Sequence, residues 1–126
     1  MRPKTLAEVA VLAMQGDSFD RCLANFLDEF YAAPNAAALV DMPVLLAPLF
    51  SEIGRVQDAY LAATAEELAR AFAFRVPPWV ADETRQLHRP WFASPLAALR
   101  AVLLLESPAA FRSRNLFVSE DALSRA

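Results

Sequence analysis

The chain has 126 residues, of which 56% are hydrophobic and 21% are charged, and it contains only two glycines. This composition predicts one globular domain over residues 1–126 and argues against a disordered or collagen-like chain. The net charge of -3 disfavours a general binder of nucleic acid, because that activity depends on clustered Lys and Arg that neutralise phosphates.

Charge is divided unevenly along the chain. Residues 1–60 carry eight acidic and four basic side chains, whereas residues 61–126 carry seven acidic and eight basic ones. We therefore expect acidic helices over residues 1–74 and a Trp- and Arg-rich segment over 75–126 to face different partners. Eleven of the twelve basic residues are Arg. Arg suits bidentate and stacked contacts, although a GC-rich genome explains the bias equally well.

The cysteine and hydropathy patterns predict a cytoplasmic protein without a membrane span. Cys22 is the only cysteine, and a lone thiol fits a reducing compartment. The apolar stretch near the N-terminus is interrupted by Glu8 and lacks a small-residue cleavage site, so it predicts a helix and not a signal peptide. The apolar window 32–50 contains Asp41 and three prolines, which excludes an uninterrupted spanning helix.

The first 31 residues predict two helices joined by a glycine turn. Thr5 and Glu8 form a capping-box pattern at the start of a helix over 6–15, and Gly16 ends it. Asp17 or Ser18 then caps the second helix. Its apolar residues recur at spacings of three and four: Phe19, Cys22, Leu23, Phe26, Leu27, Phe30 and Tyr31. The opposite face is predicted to carry Asp20, Arg21, Asn25, Asp28 and Glu29.

Two helices around a tight turn also occur in helix-turn-helix DNA readers, whose second helix enters the major groove. Here the second helix offers Arg21 as its one basic side chain. The acidic side chains around it are Asp17, Asp20, Asp28 and Glu29. Phosphate would repel such a face, so the sequence disfavours DNA reading by this helix pair.

Residues 32–72 predict a short helix, a turn-rich crossover and a long helical region. The short helix lies around residues 35–41, and prolines at positions 34, 43 and 48 break the pattern on either side. The long region runs over 49–72. Gly54 weakens it, and a capping pattern from Thr64 to Glu67 leaves open whether it forms one helix or two.

Prolines interrupt the helical pattern over residues 75–92, which contain both tryptophans. A helix is predicted to begin at Ser94 or Pro95 and to continue through Glu106, and a short one to run from Pro108 through Phe111. Residues 116–118 are predicted to be extended, and Ser119 to cap a last small helix. The whole chain therefore predicts an all-α fold, a single compact helical domain of about five to seven helices with a Pro/Trp-rich irregular segment.

The residue inventory predicts no catalytic residue, no cofactor and no metal site. One His and one Cys cannot form a His/Cys zinc site, and two distant glycines cannot form a phosphate loop. Adjacent carboxylates on a helix point about 100° apart, which favours solvated faces over acid–base pairs. The enzymatic alternative uses His88 with Asp82 or Glu83 and is the least favoured, because no telling spacing supports it.

Candidate partner-binding residues concentrate in the C-terminal part. Trp79, Trp91 and Phe92 form either a lid on the core, tied down by prolines, or a binding platform, since Trp and Arg dominate interface hot spots. The stretch FRSRNLFVS predicts a buried Phe111 followed by an exposed edge that suits carboxylate or phosphate groups of a partner. That edge consists of Arg112, Arg114, Asn115 and Phe117. The alternative is a surface arginine pair beside a buried phenylalanine.

The same C-terminal part resembles a known family. VPPWV (residues 76–80) and RPWFASPLAALRAVLLLESPAAFRSRNLFVSEDALSRA (residues 89–126) are similar to the end of small antitoxin-like partners of bacterial nucleotidyltransferase toxins, and the resemblance runs from about Pro77 to Ala126. The shared frame is P-x-W, then R-P-W-F, then E-S-P-A-A-F-R-x-R-N-x-F-V. Related chains carry an N-terminal DNA-binding helix-turn-helix, whereas this chain has an acidic N-terminal half without a basic recognition helix.

The resemblance implies a non-enzymatic function, in which the chain neutralises a toxin encoded nearby by direct complex formation. Acidic residues such as Asp20 and Asp28 would complement a basic cleft of the toxin and speed association. A second hypothesis is a homodimeric helical scaffold that buries Trp79, Trp91 and Phe92 against its own copy.

Overall fold

A computed structural model describes residues 2–94 and 96–125. Over those residues the predicted all-α fold is confirmed, with six α-helices and one pair of two-residue strands. The helices are α1 (Leu6–Met14), α2 (Phe19–Ala32), α3 (Ala37–Val40), α4 (Ala47–Ala71), α5 (Arg100–Glu106) and α6 (Ala109–Arg112). The strands are β1 (Trp91–Phe92) and β2 (Leu116–Phe117), and short 3₁₀ turns cover Pro78–Ala81, Glu83–Arg85 and Ala97–Leu99. None of the helices described is both long and apolar enough to cross a membrane.

The predicted caps of α1 and α2 are present. The hydroxyl of Thr5 accepts the N–H of Glu8 at 3.1 Å, and the Glu8 carboxylate accepts the N–H of Thr5 at 3.1 Å. Gly16 has a φ of 109°, as the turn requires. Ser18, and not Asp17, caps α2 by accepting the N–H of Arg21 at 3.3 Å. These local bonds fix where both helices begin.

Two adjoining hydrophobic clusters form the core, and α4 contributes to both. The first cluster joins the apolar faces of α1 and α2 to one face of α4 and to Trp79. The second cluster joins another face of α4 to α6 and β2. Tyr60 packs against both clusters. The long helix is therefore the element around which the N-terminal and C-terminal parts pack.

The sequence left open whether the long helical region divides into two helices at residues 64–67, and the structure answers this question. α4 continues without interruption through residues 64–67, where Thr64 donates its hydroxyl to the carbonyl of Tyr60 at 2.8 Å and caps nothing. The helix instead bends at Ser51, whose φ of 53° is left-handed. It begins at Ala47, two residues before the predicted start. A buried hydroxyl can bond back to the preceding turn, so the capping pattern alone was misleading.

Gly54 and Asp58 explain how the start of α4 folds against its own later turns. A Cβ added at Gly54 would lie 2.4 Å from the carbonyl oxygen of Leu46, so only glycine permits this backbone approach. The buried Asp58 carboxylate accepts the N–H groups of Leu46 at 2.7 Å and Ala47 at 3.1 Å. Together they hold the first turn of α4 in place.

For two substitutions in α4, we expect the free energy of unfolding to change in the direction opposite to the one that helix propensity predicts. Propensity favours Ala over Gly by about 1 kcal/mol in a helix interior. We nevertheless expect Gly54→Ala to lower the free energy of unfolding by about 2 kcal/mol, because its methyl group meets immobile backbone. Ser51→Gly should raise the free energy of unfolding by about 1 kcal/mol by relieving the left-handed conformation. Urea denaturation measures both changes, and a stabilising Gly54→Ala would contradict this account.

The C-terminal part corrects two predicted helices. β1 and β2 pair in parallel, with Trp91 opposite Leu116 and Phe92 opposite Phe117. Ser94 lies in a bend, and helical structure begins only with the 3₁₀ turn at Ala97–Leu99 that leads into α5; Pro95 lies outside the described residues. Residues 120–123 form a turn, and no helix occurs between residues 120 and 125. Contacts with α2 hold this tail, since the carbonyl of Leu123 accepts the Tyr31 hydroxyl at 2.8 Å.

Candidate functional site

Arg114 was predicted on an exposed edge, but its side chain is only 5% exposed. Its guanidinium donates to the carbonyls of Ala110 at 2.7 Å and Val80 at 2.9 Å, and it forms an ion pair with Glu66 at 2.9 Å. The expectation of an exposed Arg114 was therefore wrong. The side chain is drawn inward because it supplies donors to two carbonyls and a charge to one carboxylate that the fold places around it.

The other residues of the predicted edge divide between surface and interior. Arg112 is exposed, as predicted. Asn115 is half-buried, has a φ of 63° and donates its side-chain amide to the carbonyl of Leu87 at 2.7 Å. Phe117 is buried and stacks on Phe92 with 5.1 Å between ring centroids, so it is not the exposed aromatic that the sequence suggested. Pairing of β2 with β1 turns this residue inward.

The three aromatic residues predicted as lid or platform do not share one environment. Trp79 is buried, its indole N–H donates to the carbonyl of Leu39 at 3.0 Å, and the guanidinium of Arg85 lies 4.9 Å from its ring centroid. It therefore has the role of a core lid. Trp91 and Phe92 are half-buried in β1. Trp91 lines a cavity together with residues of α2 and α4.

The acidic residues Asp20 and Asp28 also differ. Asp28 accepts hydrogen bonds from Arg125 at 2.9 Å and from Arg2 at 3.3 Å. These contacts, with the bond from Arg125 as the largest cause, lower the pKa of Asp28 below its ordinary value. Asp20 is exposed and forms no ion pair with any residue between 2 and 94 or 96 and 125. Of these two residues, Asp20 therefore presents the uncompensated charge.

A cleft of about 700 Å³ lies between α2, α4 and the C-terminal tail, and we call it the α2–α4 cleft. Its walls are mainly apolar and aromatic, formed by Phe19, Leu23, Val56, Tyr60, Trp91 and Val118. Its polar lining includes Asp20, Gln57, Ser119 and Arg125. The cleft thus joins Asp20 to Trp91, which were predicted separately. It also includes Gln57, which no sequence pattern distinguished from other helical polar residues.

Two side chains give the α2–α4 cleft its chemical character. The side-chain Oε1 of Gln57 is buried and accepts no hydrogen bond from any described residue. The rings of Tyr60 and Phe19 form a T-shaped pair, with 6.4 Å between ring centroids. Burial, aided by the charge of Asp20, raises the pKa of Tyr60 to about 12. The cleft lining thus combines a phenol, a buried acceptor and a free carboxylate.

The raised pKa of Tyr60 predicts a loss of stability in alkali. The unfolded chain ionises at the ordinary tyrosine pKa of 10.0, whereas the folded state resists ionisation to about 12. The stabilising contribution is complete below pH 10 and is lost as pH rises toward 12. We expect Tyr60→Phe to flatten the dependence of unfolding free energy on pH across this range. Denaturation at several alkaline pH values measures the effect, and an unchanged slope would contradict the assignment.

A second surface feature is the apolar exterior of α5 and the turn before it. Leu103 is the buried apolar anchor of α5, and Ser107 holds the end of the helix by accepting the N–H of Val118 at 2.8 Å. The residues that remain exposed, which we call the α5 surface, are Leu96, Leu99, Val102, Leu104 and Leu105. Leu105 is 83% exposed, the largest value among the large apolar side chains described.

His88, the histidine of the enzymatic alternative, is exposed. Its proposed partner Asp82 accepts hydrogen bonds from the backbone N–H of Thr84 at 2.9 Å and from its hydroxyl at 2.8 Å. These bonds lower the pKa of Asp82, the backbone bond being the largest cause.

In the described ranges, no group of three His, Cys, Asp or Glu side chains is arranged to hold a metal ion. Comparison with protein-family models, curated proteins and solved structures finds no significant match to this chain.

Proposed function

We propose that this protein is a non-enzymatic binding module that forms a direct complex with a protein partner through the α5 surface. The exposed apolar side chains of α5 carry this proposal. Val102, Leu104 and Leu105 are 47%, 44% and 83% exposed on a helix of seven residues. Contiguous exposed apolar surface commonly marks interaction sites, and an apolar helix face that enters a partner's groove is a recurrent mode of recognition.

The partner that we propose is a nucleotidyltransferase-type toxin encoded nearby, and the complex would form in the cytoplasm. The α5 surface lies within residues 77–126, the segment that resembles antitoxin-like proteins. Binding would be stoichiometric and would keep the toxin inactive by covering its active site or by holding an inactive state. Exposed charges beside the interface would set the association rate more than the affinity.

Individual charged residues support this proposal unequally. Asp20 has a free charge that would attract a basic cleft of the partner, whereas the charge of Asp28 is already compensated by Arg2 and Arg125. Arg112 is exposed and available for a carboxylate or phosphate group of the partner. Arg114 is not available, because its side chain is buried and its two terminal nitrogens donate to carbonyls within the chain.

Self-association is the second candidate, and the shape of α5 favours it. Residues 101, 102, 104 and 105 are all exposed, so apolar side chains project on more than one side of the helix. Such a helix can pack against its own copy around a two-fold axis, where each subunit offers the same patch. A homodimer would then form without any other partner.

Charge substitution on α5 tests both candidates. We expect Leu105→Glu to weaken the complex with the neighbouring gene product at least about tenfold, because a desolvated carboxylate would oppose binding. The same substitution should abolish the rescue of cell growth when that gene is co-expressed. The matched control is Met42→Glu, at an apolar side chain that is 57% exposed outside the α5 surface.

The outcomes separate the candidates. Growth arrest by the neighbour, rescue by this chain and loss of rescue only with Leu105→Glu would support the proposed function. A harmless neighbour, or equal effects of Leu105→Glu and Met42→Glu, would contradict it. A purified chain that is dimeric by light scattering and becomes monomeric with Leu105→Glu would support self-association instead.

A further inference from the structure

The uncommitted groups of the α2–α4 cleft include two hydrogen-bond acceptors. The Asp20 carboxylate has no cationic partner within residues 2–94 and 96–125. The Oε1 of Gln57 is buried and lacks a donor in the same part of the chain. Buried polar atoms of native proteins are nearly always hydrogen-bonded. An orphaned acceptor in the wall of a cleft therefore points to a ligand that supplies the donor.

The basic side chain and one hydroxyl of the described lining already donate within the chain. Arg125, the one basic side chain of this lining, donates to Asp28 at 2.9 Å. The hydroxyl of Ser119 donates to Asp121. The charge that remains uncompensated at the cleft is therefore the negative charge of Asp20. A ligand that satisfies both this carboxylate and Gln57 must carry N–H groups and a positive charge.

The aromatic walls favour the same kind of ligand. Phe19, Tyr60 and Trp91 line the cleft, and the electron-rich faces of such rings attract cations. Tyr60 contributes a phenol, which like any tyrosine is neutral at neutral pH. The volume of about 700 Å³ lies within the range of roughly 300–1,000 Å³ that is typical of small-molecule sites. Leu23 and Val56 add apolar surface for the uncharged part of a ligand.

We propose that the α2–α4 cleft binds a small organic cation, a protonated amine or guanidinium joined to an apolar body. The cationic group would lie near Asp20 and Gln57, and the apolar body would lie against Trp91. This inference uses no residue of the α5 surface and does not rest on the proposed protein-binding function. A chain that binds no protein partner would still be expected to bind such a cation.

Nuclear magnetic resonance titration with phenethylamine and with phenethyl alcohol tests the proposal. Phenethyl alcohol matches phenethylamine in size and aromatic body but is uncharged. We expect phenethylamine to bind with a dissociation constant on the order of 1 mM and phenethyl alcohol about tenfold more weakly. The indole signal of Trp91 and the side-chain amide of Gln57 should shift. The indole of Trp79, bonded to Leu39 in the core, is the internal reference and should not shift.

Substitutions then test the two acceptors separately. Asp20→Asn should weaken phenethylamine binding about tenfold, whereas Asp17→Asn, an exposed acidic neighbour that does not line the cleft, should not. Gln57→Leu should weaken binding while keeping or raising Tm, because it removes a buried acceptor that lacks a donor. A purely structural Gln57 would instead lower Tm when replaced.

Two results would overturn the proposal. One is equal affinity for the amine and the alcohol, which would show that the cleft recognises only apolar bulk. The other is an equal response of Asp20→Asn and Asp17→Asn, which would show that the charge acts at a distance. Because Asp20 is exposed, circular dichroism should show both variants folded, so loss of binding reports on the site.

Discussion

Replacing Arg114 with alanine is expected to lower the free energy of unfolding by about 3–5 kcal/mol. The substitution removes two hydrogen bonds to the carbonyls of Ala110 and Val80 and one ion pair with Glu66, all in the interior. Breaking a buried charge pair from one side is costly because the remaining groups stay desolvated and unpaired. Glu66 keeps one partner, since Arg70 lies 3.0 Å away, which limits the loss.

Arg112→Ala is the matched control for Arg114→Ala. Both arginines belong to the same short stretch and were predicted to have the same role, but only Arg112 is exposed. Substitution there should change the free energy of unfolding by no more than about 0.5 kcal/mol. Urea denaturation of both variants measures the two changes in the free energy of unfolding. A cost below about 1 kcal/mol for Arg114→Ala would show that its buried contacts add little.

Asp58→Ala is expected to lower the free energy of unfolding by about 3 kcal/mol. The N–H groups of Leu46 and Ala47 would lose their acceptor in a buried site. The buried guanidinium of Arg85, which also donates to the carbonyl of Pro43, would lose a nearby negative charge. Asp58→Asn keeps one acceptor and should cost about half as much. Asp41→Ala, at an exposed position, is the control and should be nearly neutral.

The pH dependence gives an independent check on Asp58. Burial raises the pKa of Asp58 above its ordinary value and outweighs the two backbone hydrogen bonds that lower it. The folded state therefore holds this proton more tightly than the unfolded chain does. Its contribution is fully present below the unfolded pKa and is lost as pH rises through the folded pKa. Asp28 and Asp82, whose pKa values are lowered, change stability in the opposite direction. Carboxyl resonances titrated by pH distinguish the two groups directly.

Local patterns account for most of the elements that were predicted correctly. The capping box of Thr5 and Glu8 and the stop at Gly16 act through atoms a few residues apart, so their effect can be predicted from adjacent sequence. The start of α5 was mistaken because its short 3₁₀ entry has no distinctive pattern. The tail after Ser119 has a capping sequence, but contacts with α2 hold it in a turn.

The candidate sites depend much more on contacts between distant residues. Arg114 bonds to acceptors on α4 and on the 3₁₀ turn at Pro78–Ala81, which are distant in the sequence. Its burial therefore could not be predicted from the residues next to it. Gln57 gained significance only when α2 and the tail enclosed it in a cleft. The apolar residues of α5 were visible in the sequence, but periodicity does not reveal whether another element covers a helix, and most of them are exposed.

The sequence by itself determined the all-α class, the caps of the first two helices and the buried face of α2, because helix periodicity and capping act over one or two turns. Only the tertiary structure decided that Arg114 and Phe117 are interior, that Trp79 and Trp91 have different environments and that α5 is exposed. Whether a residue is buried depends on which distant segments of the chain pack against it. That packing depends on the shape and chemistry of both segments.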